Sequence, residues 1–210
     1  MTSPIPPVVV LTDRRLARRP LLDVVRAAVD GGARWVVLRE RDLPRAQRAA
    51  LAAELRAILE PVGGTLIVSG ADPLGGRAVH LPASGPSPPP SLPIVGRSCH
   101  TAAELARIST ESYVTLSPVY PTPSKPGYGP PLGPTGLARL IPHSPVPVLA
   151  LGGVATPEQA AACRLAGAAG VAVMGAVMRA PDPAQLVHEL IRAVTEPESV
   201  LERGAMGTRR

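Results

Sequence analysis

Short runs of Val, Leu and Ile recur along the whole chain, and most are followed by a stretch with helical spacing of apolar residues. No other feature constrains the fold as strongly. Strand, helix and strand in succession make a parallel pair, and a parallel sheet is covered on both faces, so its strands read as continuous apolar runs. The runs are residues 8–11, 35–38, 66–68, 78–81, 93–96, 113–116, 147–151 and 171–174. Pro20 opens a helix that Gly31-Gly32 stops. Leu43, Gln47, Leu51, Leu55, Ile58 and Leu59 form the inner stripe of a second, begun at Pro44 and ended by Pro61 and Gly63-Gly64. Thr101 with Glu104 has capping-box spacing and predicts a helix to about Ser109. Residues 137–140 predict a short helix at best. Thr156, Pro157 and Gln159 start another to Leu165, and Asp182-Pro183 starts the last, with Leu186, Val187, Leu190 and Ile191 facing in.

Two intervals break the alternation. Only Ser69 to Arg77 separates the third and fourth runs, less than the usual parallel crossover of about a dozen residues. Residues 82–93 are proline-rich with no helical pattern. The expectation is an α/β fold, a (β/α)8 TIM barrel with degenerate helices after strands 3 and 4. An open doubly wound sheet is weaker, because the glycine-rich turns come late and lack GxGxxG spacing. Residues 1–194 are read as a single TIM-barrel domain and 195–210 as a C-terminal tail.

Composition narrows the function. Aromatics are 2%, with no Phe, so the core is built from Val, Leu, Ile and Ala. The net charge of +6 comes from arginine, since Lys125 is the only lysine. Without a recognised module or stacking aromatics, that charge does not predict a nucleic-acid partner. No apolar run reaches about 18 residues and no signal-peptide pattern opens the chain, so no membrane partner is expected. Cys99 and Cys163 lack CxxC spacing, which suits a reduced, cytoplasmic protein. A homo-oligomer is left open.

In such a barrel the active face is the C-terminal edge of the strands. Arg39, Arg41, Ser69, Ser98, His100, Ser117 and Lys125 all follow strands. Arg39 and Arg41 suit phosphoryl groups, although alternation points them to opposite sides in extended backbone, and an arginine-rich chain also carries such side chains on its surface. Ser98 and His100 read as ligand hydrogen bonds, with His100 able to move a proton or merely to pack on the helix that follows. Lys125 closes the stiff loop 117–125, which includes Thr122. Gly152 and Gly153, and the turn at Gly175 and Ala176, are candidate phosphate cradles on adjacent strand ends, where small residues admit close approach of backbone N–H groups. His80 is ambiguous, His143 and His188 look like surface residues, and no His, Cys or Asp set has metal spacing.

The pattern resembles the thiamine-phosphate synthase and TenI-like family over nearly the whole chain. Val36-Val-Leu-Arg-Glu-Arg-Asp42 is similar to the family's Gln-Leu-Arg-Glu-Lys-Asp stretch. Gly96-Arg-Ser-Cys-His100 is similar to its Gly-x-Ser-x-His, and the loop from Ser117 to Lys125 is the most specific match. Ala150-Leu-Gly-Gly-Val154 and Val171-Ala-Val-Met-Gly-Ala-Val177 resemble its two phosphate turns. The resemblance implies a barrel that binds a phosphorylated pyrimidine or thiazole. In the synthase, an aminopyrimidine diphosphate loses pyrophosphate and the thiazole-phosphate nitrogen captures the methylene cation. Arg39 and Lys125 would contact the diphosphate, and Gly152, Gly153, Gly175 and Ala176 the thiazole phosphate.

The chain departs from the family at the metal. Val37 replaces a glutamine, Val68-Ser-Gly70 stands where the family has Asn-Asp-Arg, and His80-Leu-Pro-Ala-Ser-Gly85 lacks an acidic residue. Those two acidic positions hold Mg2+ in the synthase. The expected cofactor is therefore none, with Mg2+ left open although its usual protein ligands are absent. The TenI-like branch also lacks them, and some members move a proton on thiazole phosphate with a histidine where this chain has Pro118. His100 is then the nearest substitute base. Three readings follow: a synthase, a thiazole tautomerase, or a noncatalytic protein that holds a phosphate ligand.

Overall fold

The computed structural model describes residues 5–122 and 130–201. In chain order the elements are β1 (Val8–Leu11), α1 (Leu21–Asp30), β2 (Trp35–Leu38), α2 (Arg45–Leu59), β3 (Thr65–Ser69), β4 (Ala78–Leu81), β5 (Ile94–Cys99), α3 (Ala102–Leu105), β6 (Tyr113–Leu116), α4 (Gly133–Leu140), β7 (Val148–Leu151), α5 (Pro157–Leu165), β8 (Gly170–Val173), α6 (Gly175–Arg179) and α7 (Pro183–Thr195). Each strand pairs in parallel with the next, and β8 closes on β1, with Val9 opposite Ala172. This is the (β/α)8 barrel expected from the alternation. Residues 197–201 are helical, and Val200 and Leu201 lie against the core.

Strand alternation divides the buried residues into two layers. Val8, Val10, Val36 and Leu38 face outward onto Val24, Leu55, Leu190 and their neighbours on the helices. Val9, Leu11, Val37, Ile67, Leu149 and Ala172 point inward and fill the barrel, so it is a packed core and not a channel. Two of the few aromatics do the bulk of this filling. Trp35 and Tyr113 each begin a strand, and their rings lie 5.6 Å apart at the N-terminal end. Gly96 makes room for Tyr113 and for His80 beside it: a Cβ there would sit 2.2 Å from Tyr113 Cζ and 2.6 Å from His80 Nδ1.

No helix lies between β3 and β4 or between β4 and β5, as the short and proline-rich connections predict. The loop after β4 is fastened instead by Arg97 on the outer face of β5. Its Nε donates to Glu111 at 2.6 Å, and its other nitrogens donate to the carbonyls of Pro82, Gly85 and Pro86. Arg97 and Glu111 are both buried. Removing one partner of such a pair costs about 3–5 kcal/mol, because the other charge is left dry.

Several boundaries differ from the sequence expectation. β5 runs on to Cys99 because it pairs with β6 as far as Leu116, which places Ser98 inside the strand. α3 stops at Leu105 and not near Ser109, whose N–H donates to the Glu111 carboxylate. α4 is longer, starting at Gly133 in front of Pro134. α6 was not foreseen, since five residues are too few to show a period.

Candidate active site

The last two strands bring the two glycine turns together. Leu151 pairs with Ala172, so the turns after β7 and β8 emerge side by side. Gly152 has φ +98° and Gly153 φ +74°, a region that favours glycine. A Cβ on Gly153 would lie 2.6 Å from the carbonyl oxygens of Tyr120 and Pro121, so the β6 loop can pack there only against a glycine. Backbone bonds from Val119 N–H to Leu151 O and from Tyr120 N–H to Gly152 O hold that loop in place. Gly152, Gly153, Gly175 and Ala176 line one cavity of about 230 Å³, with Thr122 and Arg39 on its wall. Among the described residues no carboxylate lines it.

Arg179 is the residue of this cavity that sequence reasoning missed. It closes α6, one helical turn after Gly175, and its guanidinium lies over that glycine: a Cβ on Gly175 would sit 2.7 Å from an Nη atom. The i, i+4 relation was the available signal, hidden because α6 itself was not recognised.

A second cavity, about 510 Å³, opens over β2 to β5. Arg39, Arg41, Ser69, His80, Ser98, His100, Glu104 and Arg107 are among its walls, and it shares Arg39, Ser117, Leu11 and Leu151 with the first. Arg39 and Arg41 therefore reach one pocket despite their alternation. Glu40 between them turns away and is 2% exposed, accepting from the Arg14 N–H and Nη1. Arg14 also grips Asp42 through both carboxylate oxygens, at 2.9 and 2.7 Å, which holds the Asp42 carboxyl down at about 2. Arg39 donates its N–H to Thr12 Oγ1, and its Nη1 lies 3.6 Å from Asp13 Oδ2.

Arg41 donates from Nε and Nη2 to the hydroxyl of Ser69, at 3.0 and 2.7 Å. Desolvation where it enters the cavity, and then the charges of Arg39 and Arg48, hold its pKa below the usual arginine value. Beneath it lies a neutral network. His80 is buried and its pKa is pushed down to about 3, first by desolvation and then by Arg41 and Arg97. Its Nδ1 meets the Tyr113 hydroxyl at 3.1 Å and its Nε2 the Ser98 hydroxyl at 3.0 Å. Ser98 is thus committed to a partner below it while still lining the cavity.

His100 donates from Nδ1 to the Ser117 carbonyl at 2.6 Å, and its N–H donates to Glu104 Oε2. It belongs to the larger cavity and does not line the smaller one. Burial pushes the Cys99 thiol up to about 12 and Cys163 up to about 11, so neither offers a thiolate near neutral pH. Lys125, expected to reach this mouth, lies outside the described residues. Gly70, where the resemblance has an acidic residue, adopts φ +113° and donates its N–H to His80 O.

Comparison with known proteins adds a second line of observation. A family model described as thiamine monophosphate synthase matches residues 8–177. The thiamine-phosphate synthase of Roseiflexus castenholzii is 37% identical over 207 residues, covering 87% of this chain and 88% of that protein. That of Moorella thermoacetica is 32% identical, covering 89% and 94%. The solved thiamine phosphate pyrophosphorylase from Pyrococcus furiosus superposes with a TM-score of 0.77 at 27% identity, covering 90% of this chain and 95% of that one.

Proposed function

Since the chain belongs to the thiamine monophosphate synthase family, we propose that it binds a thiazole phosphate in the smaller cavity, beside an aminopyrimidine diphosphate in the larger, and joins the two. The observation that carries this reading is the pair of cavities meeting at Arg39, Ser117, Leu11 and Leu151. Two phosphorylated reactants must touch at their reactive ends and keep their anions apart, and two anion sites with a shared wall supply that geometry.

In this reading the glycine turns present backbone N–H groups to the thiazole phosphate and Arg179 adds a side-chain cation. The bond between the pyrimidine methylene and the diphosphate oxygen breaks, and its electron pair leaves with the diphosphate. The thiazole nitrogen then gives its lone pair to the methylene carbon. Arg39 and Arg41 stabilise the charge that grows on the departing group, where preformed donors have most effect.

The donor set does not suit the Mg2+ that the resemblance implies. Among the described residues no three His, Cys, Asp or Glu side chains converge. The nearby carboxylates are already engaged: Asp13 by Arg15, Glu40 and Asp42 by Arg14, Asp72 by Arg45 and the Leu74 N–H, and Glu104 by the N–H groups of His100 and Thr101. A hard dication takes oxygen ligands, and Ser69 already accepts from Arg41.

The test is to supply both reactants and measure thiamine phosphate and pyrophosphate, then to supply a thiazole tautomer alone. The synthase reading expects equimolar products. Tight binding of thiazole phosphate without turnover overturns it in favour of the noncatalytic reading. A tautomerase reading has less support, because among the described residues no His, Asp or Glu lines the smaller cavity.

A further inference from the structure

The described walls of the larger cavity carry more positive than negative side chains. Arg39, Arg41 and Arg107 line it; among its described walls the one carboxylate is Glu104, which already accepts from two backbone N–H groups, and Asp13, 3.6 Å from Arg39, stands outside it and is engaged by Arg15. Arg41 spends two donors on one neutral hydroxyl. Arg48 stands behind it, donating from Nη2 to the Ser69 carbonyl at 2.9 Å, while its Nε is buried with no hydrogen-bond partner. Like charges gathered this closely repel unless an anion sits among them. Gly70, beside Ser69, holds a positive φ and has no side chain to offer a cation.

We propose that this side of the mouth is a metal-independent polyanion subsite, which takes a diphosphate directly on the guanidinium groups of Arg39, Arg41 and Arg107. Guanidinium forks match phosphate oxygens in pairs and remain charged at any working pH. Arg41 releases the Ser69 hydroxyl, or shares it, when the anion enters. Arg48 is a positioning residue: it anchors the Ser69 backbone and adds positive charge from behind. The identity of the diphosphate ester rests on the proposed function; the subsite itself does not.

Calorimetric titration of the full chain with inorganic pyrophosphate tests this. In EDTA the wild type binds saturably, and free Mg2+ strengthens binding by less than about threefold. Binding seen only with Mg2+, or strengthened beyond that, overturns the proposal. Arg41→Gln and Arg107→Gln each weaken pyrophosphate by about tenfold, the loss of one charge-assisted bond; unchanged affinity in both variants also overturns it. Arg48→Gln weakens binding about threefold and Arg48→Lys restores it; a failed rescue removes Arg48 from the account. Thiazole phosphate binding, measured in parallel, is unchanged in all four variants. If the wild type binds pyrophosphate in EDTA but not thiazole phosphate, the proposed function falls and the subsite stands. The reverse result leaves the function and removes the subsite.

Discussion

The two ends of the barrel mouth offer an anion different donors in the proposed reading. At the end of β7 and β8 the donors are main-chain groups, held by glycines whose φ angles and close contacts leave no room for a side chain. Over β2 to β5 the donors are arginine side chains around a cavity about twice as large. A backbone cradle is rigid and selects by shape, so it is broken by adding atoms. A guanidinium cluster selects by charge, so it is broken by removing charge and weakened by salt. The first suits a small phosphate that stays put, and the second suits a diphosphate that must enter and leave.

The sharpest way to break this comparison is Gly153→Val. It forces a branched residue into φ +74° against two carbonyl oxygens. Strain of this kind costs about 1–3 kcal/mol before the clash is counted. Thiazole phosphate binding falls by about a hundredfold in calorimetry while pyrophosphate binding stays within about twofold; equal losses would show one site and not two.

Arg179→Gln sharpens the comparison from the same end. It removes the only side-chain cation that the smaller cavity does not share with the larger, among the described residues. Thiazole phosphate weakens about tenfold, the dephosphorylated thiazole alcohol does not, and neither does pyrophosphate. Arg39→Ala tests the shared wall. Pyrophosphate weakens about tenfold and thiazole phosphate about threefold, and a loss confined to thiazole phosphate would move Arg39 out of the arginine end.

The smallest effect on binding comes from His80, which lies beneath the arginine end and acts on stability. It stays neutral in the fold down to about pH 3, but takes a proton near 6.5 once unfolded. The unfolded chain therefore binds more protons between those values, and stability falls as pH drops through that window. The thermal midpoint of the wild type declines from pH 6.5 downward, and His80→Gln flattens that decline between pH 6.5 and about 5. The carboxylates held down in the fold, Glu111 from 4.5 and Asp42 and Asp72 from 3.8, add their own losses only from about pH 5 downward, so the curve above that reports His80.

The backbone end was the more legible of the two in the sequence. A glycine pair directly after an apolar run is a local signal, and so is the small-residue turn at Gly175 and Ala176. The arginine end was legible only in part. Arg39 and Arg41 stand in a recognisable stretch, but Arg48 sits inside a helix that reads as ordinary surface, and Arg107 follows a helix whose end was misplaced. His80 was ambiguous because its partners are distant in sequence: Tyr113 is 33 residues away and Ser98 is 18.

The order of the eight strands, the two missing covers and the two glycine turns after β7 and β8 were determined by sequence alone. Periodicity, proline and glycine act over a few residues and need no partner to be read. Which charges meet was decided only by the tertiary structure. Ring closure, with β8 against β1, sets the strand ends around one mouth, and a contact such as Arg41 to Ser69, 28 residues apart, exists only once that ring is shut. A guanidinium reaches several ångströms in any direction, so its neighbours follow from the closed fold and not from its place in the chain.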